Sequence, residues 1–272
     1  MTATTHFRSL ELSSRYQPIF SLDERSLVGF EGLLVAHDLE GRCVPPNVVF
    51  EDAAQSGEEL YLDWLARALH LRAFSSLEPR NCRLFINSSP RAAIEDARFP
   101  GVFASVLRSF GTAPTDVVIE ILEHEVADEG PLADAVARYR ALGCRIALDD
   151  FGTVASGFGR LERLQPDVVK IARSLVRTAA SEPWARDALI DMVARIHSCG
   201  AAVVIEGVED RRDAQVAFDT GAEYVQGYYF GMPSAGNPDI ERAHQAFASL
   251  EPSAAPGPRP VRAPIRACGR AC

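Results

Sequence analysis

Residues 116–151 read DVVIEILEHEVADEGPLADAVARYRALGCRIALDDF. Two short apolar runs, DVVIEIL and RIALDDF, flank a segment with apolar residues at three- and four-residue spacing that ends at Gly143. The runs lack polar alternation, as expected of strands covered on both faces, and the spacing between them is that of an amphipathic helix. Each run nevertheless carries acid: Glu120 in the first, Asp149 and Asp150 in the second. Neighbours on a regular strand point to opposite faces, so Asp149 and Asp150 are either turn punctuation or the acidic half of a metal site.

The same alternation extends in both directions. Further apolar runs are RYQPIFSL, LVGFEGLLVAH, CRLFINSS, DVVKIA, AAVVIEGV and YVQGYYFG, and further helical segments start at Leu60 and Glu182. Eight strands, the last six alternating with helices, predict an α/β fold: a TIM-like (β/α)8 barrel. SLDERS, between the first two runs, is too short for a crossover helix, so these runs predict a hairpin and a barrel with one antiparallel strand. The organisation expected is an N-terminal segment 1–13, a barrel 14–250 and a disordered Pro/Arg-rich tail 251–272.

With 272 residues, 47% of them hydrophobic, the chain can bury a large core. A net charge of −9 argues against a nucleic-acid coat or an anionic-membrane binder. The N-terminus lacks a signal-peptide core and no window has the length of a membrane span, which predicts a cytoplasmic protein without membrane insertion. The six cysteines are scattered with no CxxC pair and are expected to be reduced.

A barrel places chemistry at the C-terminal ends of its strands. There lie Glu31, Asn87, Glu120, Asp149 with Asp150, Lys170, Glu206 and Gln226. A buried carboxylate is costly unless it is paired or metal-bound, and four strands converging on one mouth would repel without cations. Carboxylate and amide oxygens without His or Cys suit Mg²⁺, Mn²⁺ or Ca²⁺, and the adjacent aspartates could help to hold two ions, an arrangement that hydrolyses phosphodiesters. The six histidines are dispersed, and only His124 lies near a strand end, so no Ser-His-Asp or Cys-His constellation is present.

The ordered series YQPIFSL, FEGLL, FINSSP, VIEILE, ALDDFGT, VVKIA, VVIEGVE and YVQGYYFGMP resembles the EAL domain, the cyclic di-GMP-specific phosphodiesterase of bacterial signalling, over about residues 14–247. The resemblance implies two Mg²⁺ or Mn²⁺ ions, a homodimer and cleavage of cyclic di-GMP to a linear dinucleotide, without DNA as a partner. It implies metal-binding roles for Glu31, Asn87, Glu120, Asp149 and Asp150, with Lys170 near the attacking water. Glu206 becomes a metal ligand or general base, Gln17 and Gln226 contact substrate, and Glu123 steadies the loop carrying the paired aspartates. The pair's adjacency is accommodated if the strand ends between them and Asp150 swings back from the loop. Regulation is expected from a protein partner, dimerisation or expression.

Five positions depart from the family pattern. Val35 stands where the family usually has a phosphate-contacting arginine, Val154 and Ala155 replace Gly and Tyr after the paired aspartates, Ala172 replaces an aspartate, and Ile205 replaces a usual alanine before Glu206, a milder packing change. A lost charge-assisted contact costs about 1.5–3 kcal/mol, so weaker substrate binding is expected unless another cation substitutes. The alternative to an enzyme is therefore a weakened domain acting as a cyclic di-GMP receptor or protein-interaction module.

Overall fold

The computed structural model describes residues 3–75, 77, 82–99, 101–122, 128–153 and 157–250. Glu123, His124, Val154, Ala155 and the tail 251–272 lie outside the described residues. The strands are β1 (Thr4–Phe7), β2 (Leu10–Ser21), β3 (Leu27–His37), β4 (Cys43–Val44), β5 (Arg83–Ser88), β6 (Val117–Leu122), β7 (Arg145–Phe151), β8 (Val168–Ile171), β9 (Ala202–Ile205) and β10 (Tyr224–Gln226). Hydrogen bonding runs β2-β10-β9-β8-β7-β6-β5-β3 and closes through β2–β3, so eight strands form a barrel. Strand β2 is antiparallel to both neighbours and the remaining seams are parallel. The expected barrel with one reversed strand is therefore the fold.

The predicted helices form at Glu59–Phe74, Glu129–Leu142 and Pro183–Ser198. The second stops at Gly143, whose φ of 105° lies in the left-handed region that glycine reaches without steric cost. Residues 4–13, read from the sequence as a separate segment, pair with the sheet: β1 lies antiparallel to the start of β2. Among the described residues no helix is long and apolar enough to cross a membrane.

Two layers of core explain why the strand runs lack polar alternation. Outward-facing residues such as Ile86, Ile119, Ile146, Leu148, Val169, Ile171 and Val203 pack with the surrounding helices. Inside, Ile19, Val28, Phe85, Val118, Ala147, Val168, Val204 and Tyr224 form a plug to which each barrel strand contributes one residue. Strand side chains repeat with a period of two, so the residue two positions along faces the same interior one layer higher. Those residues are Asn87, Glu120, Asp149, Lys170, Glu206 and Gln226, with Gln17 taking the same place on reversed β2. On β3 the step from Val28 to Glu31 is three, and the pairing with β2 shifts register at Ile19/Phe20, which absorbs the extra residue.

A polar network ties the helix Glu59–Phe74 to the barrel. The buried Arg67 guanidinium meets Asp63 at 2.6 Å and Asp96 at 3.3 Å and donates to Ser88 at 2.7 Å and Tyr139 at 2.9 Å. Cys43, Cys144 and Cys199 are free thiols, but Cys82 is disulfide-bonded, which corrects the expectation of reduced cysteines throughout. Pairing depends on which segments folding brings together, and scattered spacing does not encode that.

Removing one partner of a buried ion network strands the others. Arg67→Met is expected to cost about 3–5 kcal/mol in chemical denaturation, because Asp63 and Asp96 lose their cation inside the protein. A change below about 1 kcal/mol would show that the network does not anchor this helix.

Candidate active site

The inward layer above the plug converges on Lys170. Its ammonium lies 2.6 Å from Glu120, 2.7 Å from Glu206, 3.1 Å from Glu31 and 3.3 Å from Asp149, so β6, β3, β7 and the residue that follows β9 each supply a carboxylate to β8. Lys170 and Glu120 are fully buried. Glu31 is held from two further sides: Asn87 donates to one oxygen at 2.7 Å and Gln226 to the other at 2.7 Å. Gln226 also donates to Gln17 at 3.1 Å, which ties the reversed strand to the same network.

One ammonium among four carboxylates leaves a formal charge of −3 in a buried space. Burial raises the carboxyls of Glu120, Asp149 and Glu206 against the pull of Lys170, and Glu120 and Glu206 come to lie well above the ordinary carboxylate range. Burial acts the same way on Glu31, but Lys170, Gln226 and Asn87 together outweigh it and hold this carboxyl low. Burial alone would depress Lys170; the four carboxylates instead hold its ammonium well above the usual lysine value. The site favours charge compensation by protons or by further cations.

The donor set fits divalent metal. Ligand oxygens of Glu31, Glu120 and Asp149 lie within 4.8 Å of one another. Despite the 2.6 Å ion pair with Lys170, neither Glu120 oxygen makes an oriented hydrogen bond, and Asp149 Oδ1 is likewise buried without one. Buried carboxyl oxygens without hydrogen bonds are what a hard cation would satisfy.

Asp150 joins the site by a route different from the one expected. The strand does not end between the aspartates; β7 continues to Phe151. Asp150 instead takes a left-handed φ of 54°, and the pairing with β8 shifts between Leu148 and Phe151. A bulge of this kind defeats strict alternation, and aspartate tolerates the left-handed region better than most residues. Asp150 thereby lines a cavity of about 240 Å³ with Gln17, Glu31, Glu206 and Gln226. Arg173 lines it too and pairs with Glu209 at 2.6 Å; the sequence reading passed over it, although it follows the VVKIA run directly.

The glycine of the Glu31-Gly32-Leu33 tripeptide has a local cause. A Cβ at Gly32 would lie 2.9 Å from the ring of His70, a buried residue that accounts for the missing methyl. Burial lowers His70 to about 4, so it stays neutral, with its Nδ1 2.8 Å from Ser14 Oγ. Of the residues singled out from the sequence, Glu31, Asn87, Glu120, Asp149, Lys170, Glu206, Gln17 and Gln226 are joined in one network and Asp150 faces the same cavity; Glu123 lies outside the described residues.

The EAL domain family model matches residues 2–233, and the chain belongs to this family. It is 25% identical to the cyclic di-GMP phosphodiesterase RocR of Pseudomonas aeruginosa, over 82% of this chain and 57% of that protein. It is 27% identical to the probable cyclic di-GMP phosphodiesterase PdeB of Escherichia coli, over 81% of this chain and 42% of that protein. Among solved structures, the calcium/cyclic di-GMP complex of Klebsiella pneumoniae BlrP1 is similar at a TM-score of 0.76 and 26% identity, covering 84% of this chain and 57% of that one. The chain thus spans little more than half, or less, of each of these proteins.

Carboxyls whose folded pKa is raised stabilise the protein fully below their unfolded values and lose that contribution as pH rises through the folded values. The metal-free protein should therefore lose the contribution of Glu120, Asp149 and Glu206 as pH rises above about 4, and a divalent ion should replace the departing protons. The expected result is a gain in Tm on adding Mn²⁺ that grows between about pH 5 and about pH 8. A gain independent of pH in differential scanning fluorimetry would contradict it.

Proposed function

We propose that this chain hydrolyses cyclic di-GMP to the linear dinucleotide pGpG with two divalent ions, Mg²⁺ or Mn²⁺. The observation that carries this is the set of four carboxylates from separate strands around one lysine, with buried oxygens lacking hydrogen bonds beside an amide-held glutamate. The similarity to the cyclic di-GMP phosphodiesterase RocR and the probable cyclic di-GMP phosphodiesterase PdeB, and the nucleotide in the BlrP1 complex, support the substrate. Homodimerisation and a regulatory protein partner belong to the same proposal and rest on the family resemblance.

Glu31, Asn87, Glu120, Asp149 and Asp150 would hold the ions, which when bound supply positive charge to phosphoryl oxygens and acidify water. Asn87 and Gln226 fix the rotamer of Glu31, and Lys170 fixes the carboxylates relative to one another. Such pre-orientation is how a site avoids reorganising during reaction. Glu206, which lines the cavity 2.7 Å from Lys170, would in its ionised form take the proton of the attacking water. In-line attack forms the new P–O bond and breaks the bond to the 3′ oxygen, which takes up a proton to leave as a hydroxyl, and the phosphate stays on the 5′ oxygen. Gln17 and Gln226 line the substrate cavity, and on the family resemblance Glu123 would steady the segment that carries Asp149 and Asp150.

A second reading, a cyclic di-GMP receptor or protein-interaction module, is favoured by Val35. This residue presents no charge to the larger cavity it lines.

Chromatographic detection of pGpG separates the two readings. The enzyme should turn over cyclic di-GMP with Mg²⁺ or Mn²⁺, Asp150→Asn should lower kcat by about 100-fold or more, and Ca²⁺ should inhibit because its looser coordination misplaces water. Binding without turnover in the unmodified protein would support the receptor. Neither binding nor turnover would leave only the interaction module.

A further inference from the structure

We propose that Arg15 supplies the phosphate contact that Val35 cannot make. The inference rests on cyclic di-GMP being the ligand. Beside the acidic layer lies a cavity of about 700 Å³, lined in part by Arg15, Leu33, Val35, Phe50 and Asn87. It adjoins the acidic site where Asn87, on its wall, donates to Glu31. A cyclic dinucleotide has two phosphodiesters. With one at the acidic layer, the rest of the ring and its anionic charge must extend elsewhere, and this cavity is the larger space next to it.

Strand register brings Arg15 to that cavity. In the β2–β3 pairing Gln17 faces Glu31, Arg15 faces Leu33 and Ser13 faces Val35. Ser13, Arg15 and Gln17 share one face of β2, while Leu12, Ser14 and Tyr16 are buried on the other. Arg15 is therefore diagonal to both Glu31 and Val35, about 7–8 Å away along the sheet. An arginine side chain spans that distance, so its guanidinium and one at position 35 would reach the same region.

Arg15 is also uncommitted. No described residue is hydrogen-bonded or ion-paired to its side chain. It is the one arginine or lysine among the described residues lining the cavity. Glu59 and Asp63 on the same wall are engaged by Arg91 and Arg67, Glu51 is exposed, and His70 is held neutral by burial. An anion entering this space meets a single cation, and a guanidinium offers the paired donors that match phosphate oxygens.

The test is the affinity of the Ca²⁺-loaded protein for cyclic di-GMP by isothermal titration calorimetry, with Tm recorded for each variant. Arg15→Ala should raise Kd by about 10- to 100-fold at unchanged Tm, as expected for one charge-assisted contact. Val35→Arg in the Arg15→Ala background should restore most of the affinity, because it places the charge on the opposite strand of the same pair. Unchanged affinity in Arg15→Ala, or a loss that Val35→Arg leaves unrelieved, overturns the assignment while nucleotide binding by the unmodified protein stands. A loss matched by a fall in Tm marks a structural role and also overturns it. Failure of the unmodified protein to bind cyclic di-GMP overturns the functional proposal and the assignment together.

Discussion

The ammonium of Lys170, buried among carboxylates from β3, β6, β7 and the residue that follows β9, is the interaction on which the site depends. Without it, four acids would face one another in the barrel interior, where uncompensated charge is far costlier than in water. With it, the acids are held within reach of one ammonium, and the charge left over favours compensation by protons or by further cations. Beneath the acidic layer lies the plug from Ile19 to Tyr224, to which each barrel strand contributes one residue.

The arrangement follows from two periodicities meeting in one closed sheet. Alternation along each strand sets plug residues and site residues two positions apart, and barrel closure aligns those positions into layers. Two departures from regularity re-aim acidic residues. The register shift between β2 and β3 lets Glu31 point inward, and the bulge at Asp150 turns a residue that should face the helices back toward the cavity. Irregularities of this kind re-aim side chains beside active sites, and here they recruit carboxylates that a regular barrel would have directed outward.

Strand reversal has its own consequence. Because β2 runs against both neighbours, the residues before Gln17, not those after it, lie toward the open end of the barrel. That is why Arg15 comes to face the cavity beside Val35. The helices Pro46–Gln55 and Glu59–Phe74 cover the outer side of this hairpin with a satellite core that includes Leu12, Leu34, Val49 and Leu62. His70, on the second helix, fills the space under Gly32, so the small residue of the Glu-Gly-Leu tripeptide is matched to its neighbour across the layer.

The sequence by itself determined the eight barrel strands, the hairpin that reverses β2, and the residues that converge at the barrel mouth. Each is a local property: an apolar run, a connection too short for a crossover, a polar residue where burial forbids one without a partner. Only the tertiary structure decided that Lys170 is shared among four acids, because those partners lie up to 139 residues away in the chain and meet through closure alone. The positive φ of Asp150, the disulfide at Cys82 and the place of Arg15 were likewise hidden. A bulge, a long-range pairing and a cross-strand diagonal depend on register between segments, and register is set when the whole sheet closes around its plug.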